Sequence, residues 1–329
     1  MPGSVALTAY QTVAVAGLVA LALLLGWLII RPRRRLVRYV PVGLMARRYV
    51  VWRPIPRRQP APVPVVLAFH REDGAIEELE RDCGLHTVRA AARFAIVYAE
   101  GYHGTWNAGR CCGDAMRAEI DESRFVRAIV EDLSGLLNID RRRIYATGIS
   151  NGAMLCYWLA CNMANEIAAI APVNGAMSGA GCAPERPVAI FHIQGAAADD
   201  DARPPGEAGE RSTQAGLSAA RQAIAFWREV NHLDGETQAD VFGGGAGCTI
   251  YSGVGGAPEI RFCVVAGLGH PWPDEPSAGA ERRTRDEAAR PSLSRDQVNE
   301  AILRFFAEHS LPEAQSRRIR LGAAAASPP

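Results

Sequence analysis

The feature that most constrains this chain is a series of short, almost continuously apolar runs: VPVVLAFH at 63–70, FAIVYAEG at 94–101, IAAIAPVNG at 167–175 and PVAIFHIQG at 187–195. Runs of this kind read as strands buried on both faces, which is the signature of a parallel sheet. RRYVVWRP at 47–54, rich in β-branched and aromatic residues, reads as a first strand ended by the proline-rich stretch 54–64. RRIYATG at 142–148 is another, and CTIYSG and EIRFCVVAG, between 248 and 267, flank a glycine-rich turn as two more.

Helical patterns lie between these runs. Phe125, Ile129, Leu133 and Leu136 recur at three- and four-residue spacing after Asp121 and Glu122, an acidic start suited to a helix N-terminus. Further helices are expected at 151–166, 215–232 and 295–309. Strands alternating with helices give an α/β fold with a mostly parallel central sheet and helices on both faces.

Both ends differ from this body. Residues 13–30, VAVAGLVALALLLGWLII, are apolar and uncharged over a length that spans most of a bilayer as a helix, and they read as an uncleaved transmembrane anchor. The expected organisation is a membrane anchor with its basic flank over 1–36, one domain over 37–311, and an alanine- and proline-rich disordered tail over 312–329. RPRRR at 31–35 and Arg38 put the nearby positive charge after the anchor, which alone argues for a cytoplasmic domain.

Charge excludes one class of function. Thirty-six basic against thirty-five acidic residues leave a net charge of +1, so no overall field draws in nucleic acid, and function must come from a site. The eight cysteines are not spaced as paired zinc ligands, so no metal is expected. They suit disulfides if the domain is exported, and buried thiols if it is not.

The site is marked by IYATGISNGAMLCYWLA, in which GISNG lies between an expected strand and an expected helix. Gly148 and Gly152 permit a sharp turn that lifts Ser150 above the sheet, while the following helix N-terminus turns backbone N–H groups towards a developing oxyanion. A serine hydroxyl needs a base and an orienting carboxylate. His270, in AGLGHPWP after an apolar strand, is the expected base. The expected acid is Asp199, in a run with Asp200 and Asp201 after the strand PVAIFHIQG. His192, inside a strand, reads as a hydrogen-bonded core residue, and His70 as a residue shaping the oxyanion loop.

Several ordered stretches resemble the esterase family that contains polyhydroxybutyrate depolymerases and feruloyl or acetylxylan esterases: IVYAEGYHGTWNAGRCCG at 96–113, DESRFVRAIVEDL, TGISNGAMLCYWLAC at 147–161, AIAPVNG and GLGHPWP at 267–273. The resemblance covers about 47–311. It implies an α/β-hydrolase fold and ester hydrolysis through an acyl-enzyme, with Ser150 as nucleophile and His270 as base. It also implies Trp106 and Trp272 close to the acyl or alcohol pocket. The expected oxyanion donors are the backbone N–H groups of Asn151 and Arg71. No metal or organic cofactor is needed, and the implied partner is a small or polymeric ester.

The chain departs from the family pattern twice. HREDG at 70–74 stands where a histidine followed by glycines is usual, which brings Glu72 and Asp73 near a developing negative charge. QGAAA stands where the family has HGTAD, so Ala198 occupies the aspartate position and Asp199 falls one residue later. The family is typically exported, and its cysteines imply that Cys111 or Cys112 bridges to Cys161, which favours an extracytoplasmic domain against the arginine signal. Two other readings stay open: a weakened, membrane-tethered hydrolase fold used for binding, and an acyltransferase.

Overall fold

The computed structural model describes residues 34–55, 61–177, 181–196, 212–243, 247–266, 272–273 and 293–313. The expected anchor at 13–30 and most of the tail lie outside these residues. Among the described residues no helix is long and apolar enough to cross a membrane.

Ten strands form one mixed sheet in the order β1-β2-β4-β3-β5-β6-β7-β10-β9-β8. They are β1 (Arg35–Val42), β2 (Met45–Trp52), β3 (Val63–Phe69), β4 (Ala95–Ala99), β5 (Ile139–Ile149), β6 (Ala169–Val173), β7 (Ala189–Ala196), β8 (Gly235–Asp240), β9 (Gly247–Ser252) and β10 (Ile260–Ala266). The centre is parallel, β4, β3, β5, β6, β7 and β10 all running together. These strands are the ones the apolar runs predict, and β3, β4 and β6 are buried along their whole length. β2 joins β4 antiparallel on one side, and β9 and β8 add antiparallel on the other.

Six α-helices accompany the sheet among the described residues: α1 (Ile76–Cys83), α2 (Gly113–Arg117), α3 (Glu122–Leu136), α4 (Asn151–Asn162), α5 (Ser212–Val230) and α6 (Arg295–Ala307). The α3 start follows from Asp121, whose carboxylate accepts the Arg124 N–H at 3.0 Å. Ser294 and Gln297 form a reciprocal capping box at the start of α6. Side chains alternate across each strand, so the two sheet faces bury different helices. Val50, Val66, Ile96 and Phe191 share a core with Ile76 and Leu79 of α1 and with Ile302, Phe305 and Phe306 of α6. Tyr49 faces the opposite way and donates to Asp132 of α3 at 2.5 Å.

Four elements went unanticipated. RLVRYVPV, which starts in the last two residues of the expected basic flank and carries no expected strand, forms β1, where only Val40 and Val42 are buried. GETQAD forms the exposed edge strand β8, which has almost no buried residue for a pattern to reveal. The α1 segment IEELERDC and the five-residue α2 are too short for a persistent period. The expected bridge to Cys161 is corrected. Cys161, at the end of α4, pairs with Cys182, Cys111 with its neighbour Cys112, and Cys248 with Cys263. The local partners win because the chain brings them together: Cys161 and Cys182 have Cα atoms 5.3 Å apart, while β9 and β10 set Cys248 directly opposite Cys263.

Candidate active site

The carboxyl ends of the parallel strands are held level by their register. Phe69 of β3 stands beside Gly148 of β5, Ile149 beside Val173 of β6, Val173 beside Ile193 of β7, and Ile193 beside Cys263 of β10. Ligands of open α/β sheets bind at this edge. Ser150 follows β5 there and immediately precedes α4.

The turn at Ser150 is sharp. Its backbone has φ 55 and ψ −118, a region that non-glycine residues occupy only when the surroundings hold them. Those surroundings are visible. The Ser150 N–H donates to Val173 O at 3.0 Å, and Ser150 O accepts the Met154 N–H at 3.0 Å. A Cβ on Gly152 would lie 2.3 Å from Phe69 O and 2.6 Å from His70 O, and one on Gly175 would lie 2.3 Å from Ser150 O. Two backbone segments, 69–70 and the one at Gly175, therefore press on the turn at distances that only glycine permits. Ser150 itself stays partly exposed.

Beside it, Asn151 is buried and ties the turn to the loop that follows β4. Its Oδ1 accepts the Trp106 N–H at 2.8 Å and its Nδ2 donates to Trp106 O at 3.1 Å. The Trp106 indole N–H donates in turn to His70 O at 2.9 Å. His70 is fully engaged: Nδ1 donates to Arg71 O at 2.7 Å, and Nε2 accepts the Gly101 N–H at 2.9 Å. Burial, with smaller help from the nearby Arg47 cation, lowers its pKa to about 4 although the Arg71 carbonyl favours the charged form, so the ring is neutral at pH 7. It ties the end of β3 to Gly101 in the loop after β4.

Arg71, Glu72 and Asp73 are all exposed. Arg71 pairs with Glu78, and the Gly74 N–H returns to Arg71 O at 3.1 Å. The acidic pair thus lies in solvent, where its field is screened. Arg47 and Glu122 form a buried ion pair at 2.7 Å, and Arg47 also donates to Glu100 O at 2.8 Å. Glu122 accepts the Asn107 N–H at 3.2 Å, while the Arg47 guanidinium covers the Phe125 ring at 3.8 Å. Burial raises the Glu122 pKa against the pull of Arg47.

His192 is also neutral and in the core. Its Nδ1 lies 2.7 Å from the Tyr157 hydroxyl and its Nε2 3.2 Å from Gln194 Oε1, and burial lowers its pKa to about 4. With both nitrogens of His70 and His192 occupied, neither is placed to act as a base. The expected base His270 and acid Asp199, with Asp200 and Asp201, lie outside the described residues. The strands that lead to them are adjacent: β7 ends at Ala196 and β10 at Ala266, paired residues of the sheet. Trp106 and Trp272 are buried at 0% and 1% exposure. The structure gives each a packing role, Trp106 beneath the elbow and Trp272 in the core with its indole N–H on Asn299 Oδ1 at 3.2 Å.

Two features carried no sequence signal of their own: the Asn151–Trp106 tie and the buried Arg47–Glu122 pair both join residues far apart in the chain. Among the described residues no group of three or more His, Cys, Asp or Glu could hold a metal ion. A groove of about 320 Å³ runs between α5 and β9–β10, lined by residues including Arg221, Arg228 and Tyr251. It contains none of the expected site residues.

No family model matches the chain. Sequence relatives are esterases and a depolymerase. Feruloyl esterase B of Piromyces equi is 26% identical over 220 residues, covering 63% of this chain and 39% of that protein. Poly(3-hydroxyalkanoate) depolymerase C of Paucimonas lemoignei is 22% identical over 253 residues, covering 69% of this chain and 59% of that protein. The chain therefore spans less than two thirds of either relative. A thermostable esterase of known crystal structure superposes with a TM-score of 0.52 at 15% identity, over 84% of this chain and 63% of its own. The shared fold is that of α/β-hydrolase-type esterases.

Proposed function

We propose that the chain is a serine-dependent carboxylic ester hydrolase that works through an acyl-enzyme. The observation that carries this reading is the Ser150 turn: a partly exposed hydroxyl at a strand-to-helix junction, its backbone held at φ 55 and ψ −118 by segments that only glycines can accommodate.

In this reading Ser150 Oγ attacks the ester carbonyl carbon while His270 takes the hydroxyl proton, and the histidine then passes that proton to the leaving alcohol. Asp199 orients His270. Water, deprotonated by the same histidine, attacks the acyl-enzyme and releases the acid. The N–H groups of Asn151 and Arg71 receive the oxyanion. Arg71 is supported in this role because the preceding carbonyls of Phe69 and His70 rest against Gly152, two residues beyond the nucleophile. The adjacent ends of β7 and β10 support a base and acid that approach from neighbouring loops.

The substrate is a carboxylic ester, small or polymeric, of the kind named for the feruloyl esterase and the depolymerase. The reading includes a membrane anchor at 13–30 and an extracytoplasmic domain, the latter supported by three disulfides that reducing compartments do not maintain. The test is hydrolysis of p-nitrophenyl acetate and butyrate by residues 37–329 and by the full chain, each beside its Ser150→Ala variant. Turnover lost with the hydroxyl supports the reading, and equal rates in wild type and variant overturn it.

A further inference from the structure

The strand β6 ends at Val173, where it pairs with Ile193 of β7, and the next residue leaves the sheet. Asn174 has φ 51, in the left-handed region that asparagine tolerates better than most residues. A backbone turned this way cannot offer its carbonyl to the next rung of a parallel ladder. The Asn174 side chain replaces it. Its own N–H donates to Ile193 O at 3.0 Å, and its Oδ1 accepts the Gly195 N–H at 2.7 Å.

That extra rung joins two places that matter for the proposed reaction. On one side, Val173 O accepts the Ser150 N–H, and Gly175 lies so close to Ser150 O that a Cβ there would be at 2.3 Å. On the other, Gly195 is the penultimate residue of β7, three positions before Ala198 and four before Asp199. Asn174 and Gly195 are both buried, so the bond is shielded from water. A chain whose acid falls one residue later than the family pattern needs a defined point of departure for that loop.

We propose that Asn174 is a positioning residue that sets where β7 releases the acid-bearing segment relative to Ser150. The role rests on the esterase reading above, since it acts through the carboxylate that orients His270. Asn174 touches no reacting atom in this account.

Two substitutions separate the side chain from the backbone. Asn174→Gly keeps φ 51 without strain and removes the side chain that accepts from Gly195, whereas Asn174→Asp keeps an acceptor oxygen and tolerates the same conformation. With p-nitrophenyl butyrate, Asn174→Gly is expected to lower kcat by about 10- to 100-fold with KM changed less than about threefold, the effect of a misplaced catalytic group. The acidic limb of kcat/KM moves to lower pH, because an imidazolium that loses its carboxylate is easier to deprotonate. Hydrogen exchange of the Gly195 amide accelerates. Asn174→Asp retains kcat within about threefold and restores the limb. An active wild type with Asn174→Gly at wild-type kcat and an unmoved limb overturns the inference alone, as does Asn174→Asp impaired as much as Asn174→Gly. A wild type that hydrolyses no ester overturns the esterase reading and the inference with it, and Gly195 exchange unchanged in Asn174→Gly overturns the bond itself.

Discussion

Asn151 and Trp106 are bonded reciprocally, the Asn151 amide accepting the Trp106 N–H at 2.8 Å and donating to the Trp106 carbonyl at 3.1 Å. Both residues are buried, so truncating the amide leaves the Trp106 N–H without a partner in a dry environment, while the Trp106 carbonyl keeps the Cys112 N–H at 3.3 Å. Asn151→Ala should destabilise the protein by about 1–3 kcal/mol, the cost of one orphaned buried donor. Urea unfolding measures this, and a change below about 0.5 kcal/mol would contradict the assigned tie.

The glycines around Ser150 make a sharper prediction. Gly152→Ala or Gly175→Ala places a Cβ 2.3 Å from a backbone oxygen, so the elbow must move. Each should cost more than about 2 kcal/mol and abolish ester hydrolysis. Gly135→Ala, inside α3 with nothing within 4 Å of the new methyl, should instead stabilise by about 0.5–1 kcal/mol. Thermal melts of the three variants check the contrast.

The buried histidines set an acid limit. Their pKa values fall from 6.5 to about 4 on folding, so between those values the unfolded chain binds more protons than the folded one. Stability is therefore complete above pH 6.5 and declines as pH falls towards 4, by about 1.4 kcal/mol per pH unit for each histidine. His192→Gln removes one of the two titrations. Urea midpoints from pH 7 to pH 4.5 should fall less steeply in that variant, and an identical slope would contradict the assignment.

Disulfide pairing is read by counting thiols. Protein unfolded without reductant should expose two alkylatable cysteines, Cys83 and Cys156, of the eight in the chain. Reduction should expose all eight and lower the melting temperature, since each long-range bridge contributes about 2–4 kcal/mol. Peptide mapping that joins Cys161 to Cys111 or Cys112 would contradict the pairing with Cys182.

What could be read from the chain beforehand follows a physical division. The central strands announce themselves because burial on both faces demands apolar residues at every position, and GISNG announces the elbow because tight backbone approach demands glycine at 148 and 152. Edge strands make no such demand. β8 reads GETQAD, and β1 buries only two of its eight residues. The supports of the elbow were hidden for another reason: Asn151–Trp106, Arg47–Glu122 and Asn174–Gly195 depend on which strands become neighbours, and no local pattern encodes that. HREDG looked hostile to an oxyanion by composition, whereas its acidic side chains stand in solvent.

The proposed reaction requires Ser150 to be an activated nucleophile. Intact-mass analysis after treatment with a fluorophosphonate tests it most directly, because the reagent bonds to a serine only when a base and an oxyanion site assist. The prediction is one adduct per chain, mapped to the peptide containing Ser150 and absent from Ser150→Ala. A folded wild-type protein that takes up no adduct, or a Ser150→Ala protein labelled equally, would contradict it.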